Sequence, residues 1–219
     1  MKILSKLLML SVLFTFSISS GFASVPKVQE IIDQLINLDD SQATPAKAIL
    51  VDHTQAVTLR SGEHAYLSGV SFENAGRNFW AGYILTRPTL KQSKILADFG
   101  GQSNTFKVYS ALSQTQPVQL VEIESAGSGQ GILSSTLDLV YFDGWNAKVI
   151  ATVNSNDDPG RYNEQLGEED CRTGEIIEGK IDVSLVRKEV IKTVQSSNAC
   201  KNAKKTTKIE KIKILMSPF

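Results

Sequence analysis

Side chains that usually carry catalysis are scarce in this chain. Its 219 residues include two histidines and two cysteines. Histidine is the commonest general base near neutral pH, so enzyme mechanisms are constrained at the outset. No HExxH helix, G-x-S-x-G elbow or CxxC pair is present, which leaves zinc hydrolase, serine hydrolase and dithiol chemistry without their usual spacings. An excess of charge of one sign is also missing: 23 Lys and Arg balance 23 Asp and Glu. A chain so balanced has no global pull on nucleic acid or on an anionic bilayer. Beyond the first two dozen residues no segment approaches the ~18 consecutive apolar residues of a membrane-spanning helix. Internal repeats of constant period and long low-complexity linkers are lacking too.

The amino terminus, by contrast, is rich in signal. Lys2 and Lys6 form a basic head, Leu7 to Ile18 an apolar run, and Gly21-Phe22-Ala23 a small-residue exit. This is the pattern of a signal peptide over residues 1–23, with Ser24 first in the mature protein. The expected destination is the periplasm or the exterior. Loss of Lys2 and Lys6 would move the formal charge from 0 to −2. No cysteine stands at the cleavage point, so lipidation is not expected. The carboxyl end argues against an outer-membrane strand: stepping back by two from Phe219 gives Ser217, Leu215, Lys213 and Lys211, and Pro218 interrupts the run. Export also predicts that Cys171 and Cys200 pair. Closing their loop of 28 intervening residues would contribute roughly 3–4 kcal/mol.

Residues 24–219 suit one domain with a substantial core. Val28, Ile31, Ile32 and Leu35 share one helical face, predicting a helix over about 26–38 that starts at Pro26 and ends at the Asp39-Asp40-Ser41 cluster. Thereafter the period changes to two. Val57–Leu59 and Ala65–Leu67 flank a Ser61-Gly62 turn. Asn78–Leu85, Ile95–Phe99, Phe106–Leu112 and Val118–Ile123 follow as short strands. Thr136–Val153 predicts a hairpin turning at Asp143-Gly144, with Phe142 opposite Trp145, Val140 opposite Ala147 and Asp138 opposite Val149. In that register Phe142, Val140, Trp145, Ala147, Val149, Ala151 and Val153 form one core face. Asn154–Asp170 reads as a long surface loop. Ile181, Val183, Leu185, Val190 and Val194 predict a second hairpin about Arg187-Lys188, with the cysteines near its open base. A helix also fits Asp182–Val194, but the β-branched residues favour strand. Ile209, Ile212 and Ile214 supply a last, lysine-flanked edge strand.

Several constellations could carry chemistry. The glycines of Ser125–Gly131 invite a phosphate loop, yet strands on both sides and the missing Lys-Ser or Lys-Thr favour a hairpin loop. Asp52-His53 and Glu63-His64 could converge across the first hairpin, though without a strong zinc spacing. Glu122 and Glu124 lie roughly 7 Å apart on one strand face, but would point the same way rather than face each other across a sugar. Asn154, Asn156, Asp157 and Asp158 are rich in oxygen, but Pro159 and Gln165 stand where an EF-hand needs Gly and Glu; calcium is a minor possibility and no cofactor is expected. Phe79, Trp80 and Tyr83, with Phe72 nearby, are the candidate binding residues, because bulky side chains fall on both faces of their strand.

The sequence thus predicts a mainly β fold (α+β at the margin), with antiparallel sheets in a sandwich-like or propeller-fragment-like arrangement and one amino-terminal helix. The functional expectation is an exported, non-enzymatic binding protein: an inhibitor, accessory subunit or recognition module with a protein or glycan partner, and neither nucleic acid nor an integral membrane segment. The alternative is a small extracytoplasmic hydrolase using carboxylates or a divalent ion.

Overall fold

A computed structural model describes residues 24–36, 49–113, 117–129, 132–158, 175–198 and 205–214. Among these residues the fold is mainly antiparallel β with a single α-helix, in two sheets, and neither sheet closes into a barrel. The smaller sheet is a four-stranded meander, β1 (Ile49–Thr58), β2 (His64–Phe72), β3 (Ala81–Arg87) and β4 (Gln92–Ile95). The larger is a seven-stranded meander, β5 (Phe106–Ala111), β6 (Gln119–Gly129), β7 (Ile132–Asp143), β8 (Asn146–Asp158), β9 (Glu175–Ser184), β10 (Glu189–Asn198) and β11 (Thr206–Lys213). Within each sheet every strand is hydrogen-bonded to its neighbours in sequence.

Three apolar clusters organise these strands. The first lies between the sheets, where Val57, Leu59, Leu67, Tyr83 and Leu85 of the smaller sheet side meet Val121, Ile123, Val140 and Phe142 of the larger. The sandwich-like expectation is therefore the one realised. The second cluster covers the opposite face of the larger sheet, with Leu120, Leu139, Ala151, Val153, Ile181 and Val190 at its centre. Laid flat, seven strands would hold their outermost members roughly 29 Å apart. Yet the Asp182 carboxylate of β9 acts on the Tyr109 hydroxyl of β5, four strands away in the sheet order, so the sheet curls over its own face. Two devices favour the curl. Register shifts interrupt the β7–β8 ladder at Ser135/Thr136 and Leu139/Val140, and bulges of this kind bend and twist a strand pair. In addition, β9 joins β8 only at Asn156 and Asp157.

The third cluster lies outside the smaller sheet, where Ile31 of α1 (Val28–Asp33) packs with Ile49, Val70, Phe72 and Ile84. The helix is shorter than the predicted 26–38. Its start is held by the Lys27 backbone N–H, which donates to the Glu30 carboxylate at 2.9 Å. Its end is set by competition: the Ser93 N–H donates to the Gln34 carbonyl and the Ile36 N–H to the Ser93 carbonyl, drawing residues 34–36 alongside β4. Leu38 lies outside the described residues.

The predicted hairpins are present, with one correction. The β7–β8 turn is Gly144-Trp145, with Asp143 opposite Asn146 and Phe142 opposite Ala147. Gly144 has φ +60°, and a two-residue turn with glycine first is the type II′ arrangement. The turn therefore moves by one residue from the Asp143-Gly144 reading, and the pairing slides by two. Trp145 lies in the turn, still packs against the first cluster, and has the Arg87 guanidinium 5.0 Å from its ring centroid. The Leu139/Val140 shift also breaks the single core face: Val149 is exposed, while Ala151 and Val153 are buried in the second cluster. The strand predicted from Asn78 starts at Ala81, and the one predicted over Ile95–Phe99 is β4, which ends at Ile95. The β9–β10 hairpin turns over residues 185–188, so the helical alternative for that segment is discarded. As expected, the lysine-rich β11 is an edge strand. Asn154–Asp158 belongs to β8 rather than to a loop. Cys171 and Cys200, with the remainder of the predicted 154–170 loop, lie outside the described residues.

A candidate ligand groove at the end of the sandwich

The sandwich face of β6 and β7 changes character part-way along. On β6 the residues of one parity are Val121, Ile123, Ser125, Gly127 and Gly129; on β7 their counterparts are Val140, Asp138, Thr136 and Ser134. The face is apolar where the smaller sheet covers it and becomes hydroxyls and glycines beyond. Alternation continues without a register shift across this pair, and the apolar face ends after Ile123 on β6 and one pair earlier, after Val140, on β7, where Asp138 stands opposite Ile123.

Over this polar end stands a groove of about 770 Å³. Its floor is Ser125–Gly129 and Ser134–Thr136; its walls are the segment from Ile95 to Gly101 and the β2–β3 connection, including Asn78 and Phe79. Residues 100–102 fix the two walls relative to the floor. The Ala81 N–H donates to the Gly101 carbonyl (3.0 Å), the Ala126 N–H to the Gly100 carbonyl (2.9 Å), and the Gln102 N–H to the Ala126 carbonyl (2.8 Å). One strand-like segment thus stitches β3 of the smaller sheet to β6 of the larger. The stitch depends on glycine: Gly100 and Gly101 have φ +113° and +79°, and a Cβ on Gly101 would collide with the Ala126 carbonyl. The Gln102 amide braces the same region, donating to the Arg77 carbonyl at 3.0 Å, Asn78 Oδ1 at 2.9 Å and Ser128 Oγ at 2.9 Å. With only two amide hydrogens, these three acceptors share them.

The three predicted aromatic residues separate. Phe79 is 65% exposed and lines the groove, and Trp80 is 44% exposed on the same connection. Tyr83 is instead fully buried in the first cluster. Strand alternation turns its ring inward, and its hydroxyl lies within hydrogen-bond reach of the Thr105 carbonyl (2.8 Å) and the Glu124 carbonyl (2.5 Å). Burial first, and the nearby Glu124 charge second, push its ionisation well above the usual phenol range, so it stays a neutral donor.

The other predicted constellations are dispersed. His53 pairs with Gly69 and His64 with Thr58 in the β1–β2 ladder, which puts the imidazoles about five positions, or roughly 16 Å, apart. They do not converge. His53 stacks on Phe106 with centroids 4.5 Å apart. Asp52, at the register shift of β1, accepts from Ser71 Oγ at 2.5 Å and from the Asn104 amide. Glu63 is held by Arg87 through Nε (3.1 Å) and Nη2 (2.5 Å) and by Thr89 Oγ1 (2.6 Å). The Arg87 hydrogen bonds lead in holding its carboxyl below the usual range, against the opposing effect of burial.

Glu122 and Glu124 share a strand face as expected, and each is engaged separately. Tyr109 donates to Glu122 (2.8 Å) and Ser103 to Glu124 (2.9 Å). Burial and the Glu122 carboxylate together raise the Tyr109 ionisation far above its ordinary value, while the Lys107 ammonium sits 4.6 Å from the Tyr109 ring centroid. The glycine-rich stretch is mostly strand rather than loop, since pairing runs to Gly129–Ile132. Asn154 and Asn156 pair with Thr136 and Ser135. Among the described residues, no group of three or more His, Cys, Asp or Glu is placed to hold a metal ion, and no helix is long and apolar enough to cross a membrane.

The sequence reading passed over Ser125, Ser134, Thr136 and Asp98 as candidates. The signal was the loss of apolar residues at in-facing parity beyond Ile123 and Val140 while strand pairing went on. No protein-family model matches the chain, and no similar curated protein or solved structure is found.

Proposed function

We propose that this chain is an exported, non-enzymatic binding protein whose ligand occupies the groove at the end of the sandwich. The observation that carries the reading is the braced groove of about 770 Å³ itself, with an exposed phenylalanine at its lip and hydroxyls on its floor. That volume is in the usual range of small-molecule sites. The chemistry of its walls favours holding a ligand over converting it. Neither His53 nor His64 lines the groove, and Asp98 is the one carboxylate among the described residues that do. A carboxylate hydrolase needs two such groups facing each other across the substrate. Glu122 and Glu124 contribute none, because both are engaged elsewhere.

Export rests on the leader over residues 1–23 and predicts that the mature chain begins at Ser24, with Cys171 joined to Cys200. Glu175 and Asn198, the last described pair of the β9–β10 hairpin, flank those cysteines in sequence. Amino-terminal sequencing of the protein from the periplasm or medium, with thiol alkylation before and after reduction, tests both points. For the groove, the oxidised mature protein is incubated with separated polysaccharide, peptide and lipid fractions of the cell envelope. Amide signals from Phe79, Gly127 and Ser134 should shift, and the ligand should be recovered chemically unchanged. Accumulation of a cleaved product would replace this reading with the hydrolase.

A further inference from the structure

We infer that the groove takes a neutral oligosaccharide; this deepens the binding reading above and depends on it. Charge narrows the ligand first. Asp98 is the one charged side chain among the described residues that line the groove. A phosphate, sulfate or carboxylate ligand would meet no cation in the walls and one anion, the reverse of how such groups are held.

The floor narrows it further. Ser125, Ser134 and Thr136 lie on the groove side of β6 and β7, at the parity of Ile123 and Val140. Each hydroxyl can donate once and accept twice. Ser125 Oγ accepts from the Gly100 N–H at 3.1 Å, which leaves its own proton able to donate outward. Side chains spaced roughly 5 Å across the pair and 7 Å along each strand present mixed donors and acceptors at intervals that a polyhydroxylated ring can meet. Between them, added Cβ atoms on Gly127 and Gly129 would meet nothing within 4 Å, so a ring can approach the backbone itself.

Phe79 supplies the apolar partner. It is 65% exposed and lines the groove. A flat aromatic ring beside hydroxyls suits a pyranose, which has an apolar C–H face and a polar rim. An extended peptide fits less well, because strand addition needs an open sheet edge. The floor is a sheet face whose sides are taken by β5 and residues 100–102 along β6 as far as Ala126 and by β8 along β7.

The test is a titration of the oxidised mature protein, followed by amide chemical shifts and calorimetry. The probes are neutral gluco-, manno- and chito-oligosaccharides, an oligogalacturonate, a sulfated oligosaccharide and a set of short peptides. At least one neutral sugar should shift Phe79, Gly127, Ser134 and Thr136, with the acidic sugars silent. Phe79→Ala should weaken it roughly tenfold or more, the loss expected of one stacked ring. Phe79→Trp should restore affinity, and Thr136→Val should weaken it with the fold intact by circular dichroism. Neutral-sugar binding that ignores Phe79, preference for the acidic sugars, or groove shifts with peptides alone would each overturn the carbohydrate assignment while leaving a binding site. Silence of the groove toward every probe overturns the assignment as well. The binding reading itself falls only if the envelope fractions also leave the groove unmoved.

Discussion

At the scale of single residues, buried polar groups are placed where the strands alone would not hold together. Tyr83 sits in the first core with its hydroxyl at the junction of the two sheets, in reach of carbonyls on both the approach to β5 and on β6. Tyr83→Phe keeps the ring but removes the one hydroxyl proton that the two carbonyls share, the Thr105 carbonyl retaining the Glu124 N–H (3.1 Å), so urea unfolding should show a loss of about 1–2 kcal/mol. Glu63 makes a different statement. Its side chain and that of Arg87 are only 16% and 15% exposed, and the Arg87 hydrogen bonds chiefly hold its carboxyl below the ordinary carboxylate range. A carboxyl whose pKa is depressed on folding stabilises the fold above its unfolded value, and that contribution disappears as pH falls through the folded value. Stability of the wild type should therefore drop with acid below about pH 4.5, and Glu63→Gln should show a shallower drop in that window. Equal acid slopes would place the sensitivity elsewhere. Neither role is legible in the sequence, where Glu63 stands out as a neighbour of His64 and Tyr83 as one of three candidate binding aromatics.

Elements were far easier to read than their exact pairing. Alternation found the β1–β2, β7–β8 and β9–β10 hairpins, because period-two apolar patterning and Gly-containing turns are local properties. The β7–β8 turn lies one residue further on than predicted, which slides the pairing by two residues. Both Asp143-Gly144 and Gly144-Trp145 are acceptable two-residue turns, and both put Phe142 on the same face as Ala147. Local chemistry could not choose between them, whereas placing Trp145 beside Arg87 and allowing the bulge at Leu139/Val140 could. Gly144→Ala introduces a side chain at φ +60° and should cost about 1–2 kcal/mol by urea unfolding. A neutral outcome would mean that the turn lies elsewhere. For α1, periodicity located the apolar face, but Ser93 of β4 competes for the backbone of residues 34–36 and ends the helix early.

The whole molecule adds what no element contains: a sheet buried on both faces over part of its width and, among the described residues, uncovered at one end. Leu139 and Val140, adjacent in sequence, are both fully buried, one in each of two cores. Leu139→Ala should cost about 2–5 kcal/mol and Phe142→Ala about 3–5 kcal/mol. The two side chains belong to different clusters, so in the double variant the losses should nearly add. A strongly non-additive result would show that the two faces repack as one.

The amino-acid sequence by itself determined the class of fold, the hairpin-rich order of strands, the lysine-protected edge and the shortage of catalytic groups, because these follow from composition and from contacts between near neighbours. Tertiary structure alone decided which of Phe79 and Tyr83 faces solvent, that the histidines stay apart, and where the second sheet stops short of the polar end of β6 and β7. Alternation reads the same whether a strand face is covered by another sheet or by water. Only long-range packing distinguishes a core from a groove.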